Sequence, residues 1–166
     1  MDNALSQAPR YKHRKLFKYS QHELDNLFET LSPINFSELD GVYQGRLFAI
    51  IGLGFLPRFL RTAFYSLLQT IINPWKGKSF KNNQGANVWL THSGQYRFAA
   101  YKVANNEDGS EAYLNYDLDE NWKILRPIRG EARQLNNNTV LARMNYTSKT
   151  KTHRVLYFTL QSHNTH

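Results

Sequence analysis

The sequence predicts a mainly β protein, a single antiparallel β-barrel with a helix inserted after the first strand and another helix near the N-terminus. Three observations predict this fold class. Short runs rich in β-branched and aromatic residues recur from Gly41 to Gln161, with connectors of Gly, Asn, Asp and Ser between them. A helical pattern interrupts these runs once. The 166 residues, of which 41% are hydrophobic, suffice for one core. An antiparallel meander of this length protects its edges best by closing into a barrel.

The N-terminal part divides into an arm and a helix. Residues 1–19 are polar and basic and are predicted to form a flexible basic arm, with residues 20–166 as a single β-barrel domain. Ser20 is predicted to cap a helix, because Glu23 follows at the spacing of a capping box. We expect Pro33 to end this helix. Its apolar face consists of Leu24, Leu27, Phe28 and Leu31.

The next segment joins a strand to an amphipathic helix. Gly41–Ile51 is predicted to be the first strand, and residues 55–72 a helix that ends before Pro74. Most simply, this helix packs its apolar face against the sheet. It could instead cover one opening of the barrel or lie on a membrane surface. A membrane span is not favoured, because charges interrupt the apolar run. The residues predicted for the lid or membrane face are Arg58, Phe59, Arg61 and Phe64.

The remainder of the chain is predicted to be a series of short strands joined by hairpin-length loops. No internal repeat or low-complexity segment interrupts them. The predicted strands are Ser79–Phe80, Ala86–Thr91, Gln95–Val103, Glu111–Asp117, Lys123–Arg129, Thr139–Tyr146 and His153–Gln161.

One motif resembles a known group of barrels. Gly41-Val42-Tyr43-Gln44-Gly45 is similar to the G-x-W-x-G opening of the first strand in calycin-type barrels, which include the lipocalins and fatty-acid-binding proteins. Small bacterial domains of uncharacterised function, named for that motif, share it. A helix after the first strand and a final strand that carries Arg154 also resemble this group. The resemblance covers about residues 36–161 and implies a calycin-like barrel with a ligand cavity, without implying a particular ligand.

The positive charge is concentrated in one part of the chain. The net charge is +8, and residues 41–106 contain eight Lys and Arg and no Asp or Glu. Such a region favours an anionic partner, which could be a small acid or an anionic membrane surface. Nucleic acid is the least favoured partner, because no RNP-like strand motif or recognition helix is present. A solvated basic face is the alternative explanation.

The sequence contains no pattern that indicates catalysis. The six histidines lack metal-ligand spacing, no serine lies in a G-x-S-x-G elbow, and no phosphate-binding glycine loop occurs. We therefore predict no catalytic residues, no metal and no cofactor. The absence of cysteine and of a signal peptide is compatible with a cytoplasmic protein, which could also be peripheral to a membrane.

Three arginines are candidates for a ligand anchor. Arg126 and Arg129 flank Pro127, and a proline within a strand indicates an edge or a bulge that can turn a side chain inward. Arg143 lies in a later predicted strand. An inward arginine could bind a ligand's acid group or form an internal salt bridge, and the sequence favours neither. The predicted aromatic lining of the site is Tyr43, Trp89, Tyr116 and Tyr157.

These observations predict a protein that binds a hydrophobic, anionic small molecule, such as a fatty acid or related lipid, inside a β-barrel. A first alternative is a peripheral membrane or protein-interaction module that docks through the basic amphipathic helix 55–72. A second alternative is an enzyme acting on a ligand held in the barrel, with His92 or Glu131 as a general acid or base.

Overall fold

The predicted mainly β fold, a closed antiparallel barrel, is confirmed. A computed structural model describes Leu16, residues 19–50, 74–91, 93, 95–105 and 112–162, with the backbone alone for 48–50. Eight antiparallel strands form a closed barrel in which each strand pairs with its neighbours in sequence and the first pairs with the last. The strands are β1 Gly41–Ile50, β2 Trp75–Lys81, β3 Gln84–Trp89, β4 Tyr96–Asn105, β5 Ala112–Asn115, β6 Ile128–Asn136, β7 Thr139–Thr147 and β8 Thr152–Ser162.

Helix α1, Gln21–Thr30, begins as the sequence predicts. Ser20 and Glu23 form the expected capping box, with the Ser20 hydroxyl accepting from the Glu23 N–H and the Glu23 carboxylate accepting from the Ser20 N–H. The helix ends at Thr30 rather than at Pro33, because Leu31 is already extended. A single-turn 3-10 helix, Phe36–Glu38, follows and was not predicted. The helix predicted over residues 55–72 lies outside the described residues.

The predicted strand Lys123–Arg129 is wrong over residues 123–127, and only its last two residues belong to a strand. Residues 119–127 form successive turns, and β6 begins only at Ile128. The N–H of Leu125 donates to the carbonyl of Trp122, and that of Ile128 to the carbonyl of Leu125, so these groups are paired within the segment. Pro127 therefore precedes the strand instead of interrupting it, where its missing N–H costs no ladder hydrogen bond.

Alternate residues of the strands fill the barrel with apolar side chains. At the end where β1 begins, Phe36 of the 3-10 helix stacks on Phe80, with 6.3 Å between ring centroids, and closes the core. We call this the Phe36 end, and the opposite end, where β2 begins, the Trp75 end. The buried core residues are Phe36, Phe80, Ala99, Tyr101, Leu114, Tyr116, Ala132, Val140, Ala142, Phe158 and Leu160.

A second apolar cluster lies outside the barrel, where α1 packs across β6, β7 and β8. On β7, Val140 and Ala142 face inward while Leu141 faces the helix, as the two-residue period of a strand requires. Of the predicted arm, Leu16 and Tyr19 are described, and both pack in this cluster. Its buried members are Leu16, Leu24, Leu27, Phe28, Leu135, Leu141 and Tyr157. No helix among the described residues is long and apolar enough to cross a membrane.

The close pairing of β1 with β2 depends on Gly77. Its φ is +144°, and a Cβ at this position would lie 1.9 Å from the carbonyl oxygen of Tyr43. Gly41 also has positive φ, +89°, but a Cβ there would meet nothing within 4 Å. We expect Gly41→Ala to cost about 1–2 kcal/mol through backbone strain alone. Gly77→Ala should cost clearly more, because the strands must also separate.

Urea unfolding of both variants measures this difference in the free energy of unfolding. Equal losses for the two alanine variants would contradict the close approach of β1 and β2 at Gly77.

Candidate functional site

A lysine, Lys78, lies inside the barrel. Its side chain projects from β2 into the core, and the residue is 1% exposed. Tyr43 on β1 and Asn87 on β3 pair with Lys78 in register, so all three side chains point to the same face of the sheet. The register irregularity between Trp75 and Gly77 brings Trp75 into the same interior, where its ring meets Phe158 edge-on at 5.3 Å.

Two neutral side chains bind the Lys78 amine. Nζ lies 2.8 Å from Oδ1 of Asn87 and 2.5 Å from the hydroxyl oxygen of Tyr116. Asn87 is itself held in place, because its Oδ1 also accepts from Nε1 of Trp75 at 3.1 Å and its Nδ2 donates to the carbonyl of Ala99 at 3.3 Å. The amide therefore presents a fixed oxygen to the amine.

Three aromatic rings complete the surroundings of the amine. Nζ lies 4.9 Å from the ring centroid of Tyr101, 5.2 Å from that of Tyr116 and 5.4 Å from that of Phe158. These distances fall within the range of cation–π attraction, which favours the protonated amine. We call Lys78, Asn87, Tyr101, Tyr116 and Phe158 the lysine cage.

The electrostatics of the lysine cage are dominated by burial. Burial lowers the pKa of Lys78 to about 7 and raises the pKa of the Tyr116 hydroxyl. No carboxylate of the described residues forms an ion pair with Lys78. At neutral pH the amine is therefore poised between its charged and neutral forms, and an anion placed beside it would favour the charged form.

The Trp75 end of the barrel exposes apolar side chains. The rings of Phe98 and Trp122 meet at 4.9 Å, and the ring centroid of Trp89 lies 6.5 Å from that of Phe98. Trp122 is 66% exposed, which is high for so large a ring. An apolar molecule that approached the interior from this end would contact these rings first. The exposed apolar residues here are Leu90, Tyr96, Phe98 and Trp122.

Arg126 and Arg129 form hydrogen bonds with main-chain carbonyls close to them in sequence. Arg126 donates to the main-chain carbonyls of Asp119 and Asn121 and forms an ion pair with the exposed Asp119 carboxylate. Arg129 donates to the carbonyls of Arg126 and Ile128 and lies against the ring of Tyr113. Neither guanidinium group joins the lysine cage, since the bulge expected around Pro127 does not form.

Arg143 lies on the outer face of β7, beneath α1. Its guanidinium binds Glu29 of α1 at 2.7 Å and Glu131 of β6 at 2.6 Å, and it stacks 4.0 Å above the ring of Phe28. Burial opposes its charge, but the two carboxylates raise the pKa of Arg143 above its ordinary value. Of the two alternatives that the sequence left open, this geometry is that of a structural ion pair.

The predicted aromatic residues divide among three places. Tyr116 belongs to the lysine cage, and Tyr43 lies on the same inner face, edge-on to Phe80 at 5.4 Å. Trp89 lies at the Trp75 end, where its Nε1 donates to the carbonyl of Phe98. Tyr157 lies outside the barrel, and its hydroxyl donates to Asp25 of α1. Arg58, Phe59, Arg61, Phe64 and His92 lie outside the described residues.

Sequence reasoning missed Lys78 and Asn87. Lys78 is two residues before Phe80, and because β2 includes both residues, their side chains point to the same inward face. Because only Ser79–Phe80 was predicted as strand, this alternation was not visible. Within the described residues there is no cluster of three His, Asp or Glu side chains that could hold a metal ion.

Comparison with known proteins supports the barrel fold and does not assign the chain to a family. No protein-family model matches the chain, and no curated protein matches it. A solved structure, described as a protein from Thermomonospora curvata, is similar in fold with a TM-score of 0.60 and 18% sequence identity. The match covers 91% of this chain and 97% of that one. The class shown is an eight-stranded antiparallel β-barrel, consistent with a calycin-like barrel.

Proposed function

We propose that the barrel binds a hydrophobic small molecule with an acidic head group, and that the acid meets the amine of Lys78. One observation carries the proposal: a lysine buried among aromatic rings has neutral hydrogen-bond partners and no carboxylate partner among the described residues. A buried charge is costly unless it is paired. A ligand carboxylate or phosphate would supply the missing opposite charge.

The neighbours of Lys78 can support such an anion. The Tyr116 hydroxyl, 2.5 Å from Nζ, can turn its proton toward a ligand oxygen. Asn87 keeps its oxygen on the amine, because Trp75 and the Ala99 carbonyl fix the orientation of its amide. The acid head group would thus accept hydrogen bonds from the charged Lys78 amine and the neutral Tyr116 hydroxyl. Charge-assisted hydrogen bonds are strong where water is excluded.

The side chains around the lysine cage would suit a hydrophobic ligand body. The inner wall is built from aromatic and aliphatic side chains, and exposed rings at the Trp75 end continue this apolar surface outward. We therefore propose Lys78 as the anchor instead of Arg126, Arg129 or Arg143, whose guanidinium groups bind other parts of the chain. Docking on an anionic membrane through helix 55–72 stays a prediction, since that segment lies outside the described residues.

The direct test is displacement of a fluorescent fatty acid by two competitors, a long-chain fatty acid and the alcohol of the same chain length. We expect the acid to bind about ten- to a hundred-fold more tightly, because a hydrogen bond to a charged group contributes about 1.5–3 kcal/mol. Equal affinity would refute the anchor. Failure of both to bind would show that the interior is a solid core, and the proposed function would fall.

Acid binding should depend on pH. The depressed pKa of Lys78, about 7, means that the amine loses its proton above pH 7 in the absence of the acid, whereas the acid complex keeps it. Binding then takes up a proton, so the affinity for the acid should fall by up to about tenfold per pH unit above pH 7. Titration from pH 6 to 9 should leave the alcohol unaffected. An acid affinity that stays constant over this range would contradict the assignment.

A further inference from the structure

We infer that Lys78 also reacts with hydrophobic aldehydes, forming an imine inside the barrel. The inference deepens the proposed function and rests on it, because both use the same interior site. It names a second ligand class, carbonyl compounds, that would be held covalently and reversibly. The geometry that carries it is the lysine cage, in which a primary amine lies beside a phenol and has no acidic neighbour among the described residues.

The first requirement of imine formation is an unprotonated amine. Exposed lysines stay protonated at neutral pH, because water solvates their charge. Lys78 has lost that solvation and is surrounded by one amide, one hydroxyl and three rings. The pKa of about 7 that burial gives Lys78 agrees with this geometry. A desolvated lysine amine in an apolar pocket is the form that reacts with carbonyl substrates.

The second requirement is a group that moves protons, and Tyr116 is suitably placed. The Nζ lone pair attacks the carbonyl carbon, and the oxygen takes the Tyr116 proton while an N–H proton returns to the phenolate, giving a carbinolamine. The carbinolamine hydroxyl then leaves as water with the Tyr116 proton, and the last N–H proton restores the phenol. The balance is amine plus aldehyde to imine plus water, without any oxidant or reductant. The phenol lies 2.5 Å from Nζ, within reach of both transfers.

The apolar interior should also favour the product over hydrolysis. Water released in the second step leaves a site lined by aromatic side chains, so the reverse reaction lacks a ready supply of water. A protonated imine would remain a cation at the same place, facing the rings of Tyr101 and Phe158. The body of an aliphatic aldehyde would occupy the space proposed for the fatty-acid chain.

The test uses the full chain, decanal and cyanoborohydride at pH 7.5, with the modified lysine located by peptide mass spectrometry. We expect Lys78 to be alkylated at least tenfold faster than any exposed lysine and faster than the N-terminal amine, whose pKa near 8 makes it an internal reference. Lys78→Met should lose this modification, whereas Lys81→Met, which removes an exposed lysine of the same strand, should keep it. Excess decanoic acid should protect Lys78 in the wild type.

The outcomes distinguish imine formation at Lys78 from binding of an acid, which is the proposed function. Modification spread over exposed lysines, with none at Lys78, would overturn the inference. If decanoic acid still displaces the fluorescent fatty acid in that case, the proposed function stands alone. If decanoic acid does not bind and Lys78 is not modified, both claims fall. Because protection by the acid is measured on the wild type, the test remains decisive even where Lys78→Met folds poorly.

Discussion

Replacing Phe28 with alanine should lower the free energy of unfolding by about 3–5 kcal/mol, the usual cost of deleting a buried aromatic ring. Phe28 is 0% exposed and meets Tyr157 edge-on at 6.0 Å. Its ring also lies 4.0 Å from the guanidinium of Arg143 and 5.2 Å from that of Arg133. The substitution thus removes a large part of the apolar contact between α1 and the outside of the barrel.

Urea unfolding gives the measurement, and Asn26→Ala is the matched control because Asn26 is exposed on the same helix. The control should change the free energy of unfolding by less than about 0.5 kcal/mol. A loss for Phe28→Ala no larger than that of the control would show that α1 does not pack on the barrel in solution.

Lys78→Met should weaken binding of a long-chain fatty acid about ten- to a hundred-fold and leave binding of the corresponding alcohol almost unchanged. The thioether has nearly the same length, so the apolar contacts of the side chain persist. The two polar partners keep other contacts. Oδ1 of Asn87 still accepts from Trp75, and the Tyr116 hydroxyl lies 3.4 Å from Nδ2 of Asn87.

Lys78→Met should also leave the free energy of unfolding unchanged or raise it. The pKa of Lys78 is lower in the folded than in the unfolded chain. The folded state therefore binds fewer protons between about pH 7 and the pKa of an unfolded lysine, near 10.4. Stability should rise with pH across this interval in the wild type and should not do so in Lys78→Met.

Lys81→Met serves as the control for both measurements, because Lys81 is exposed on the same strand. If the Lys78→Met and Lys81→Met variants bind the fatty acid equally tightly, Lys78 does not contact the acid group. A large loss of stability in Lys78→Met alone would mean that the amine is structurally required.

The class of fold was predictable because it depends on local signals. Turn residues separate the strands, and a capping box marks the start of α1, so the series of strands and the first helix follow from neighbouring residues. The β6 boundary was not predictable in the same way. The apolar residues before and after Pro127 are typical of a strand, and only the hydrogen bonds within 119–128 show that turns replace it.

The site was less predictable, because it depends on which face of a strand is inside. A lysine between Gly77 and Ser79 is typical of an exposed position, and its burial follows from the register with Tyr43 and Asn87. The partners of Arg143 were not predictable either, because Glu29 lies 114 residues away in sequence and Glu131 lies beyond the end of the strand that the sequence predicts there.

The most direct test of Lys78 as the acid anchor is its own titration. Lysine labelled with ¹³C at Cε would be followed by NMR from pH 5 to 11, and the resonance assigned by its absence from Lys78→Met. We expect a pKa of about 7 for Lys78 in the protein alone and a clear upward shift when a long-chain fatty acid is added, because the carboxylate stabilises the ammonium. A pKa near 10.4, the value of an exposed lysine, or one that the fatty acid leaves unchanged would contradict the account.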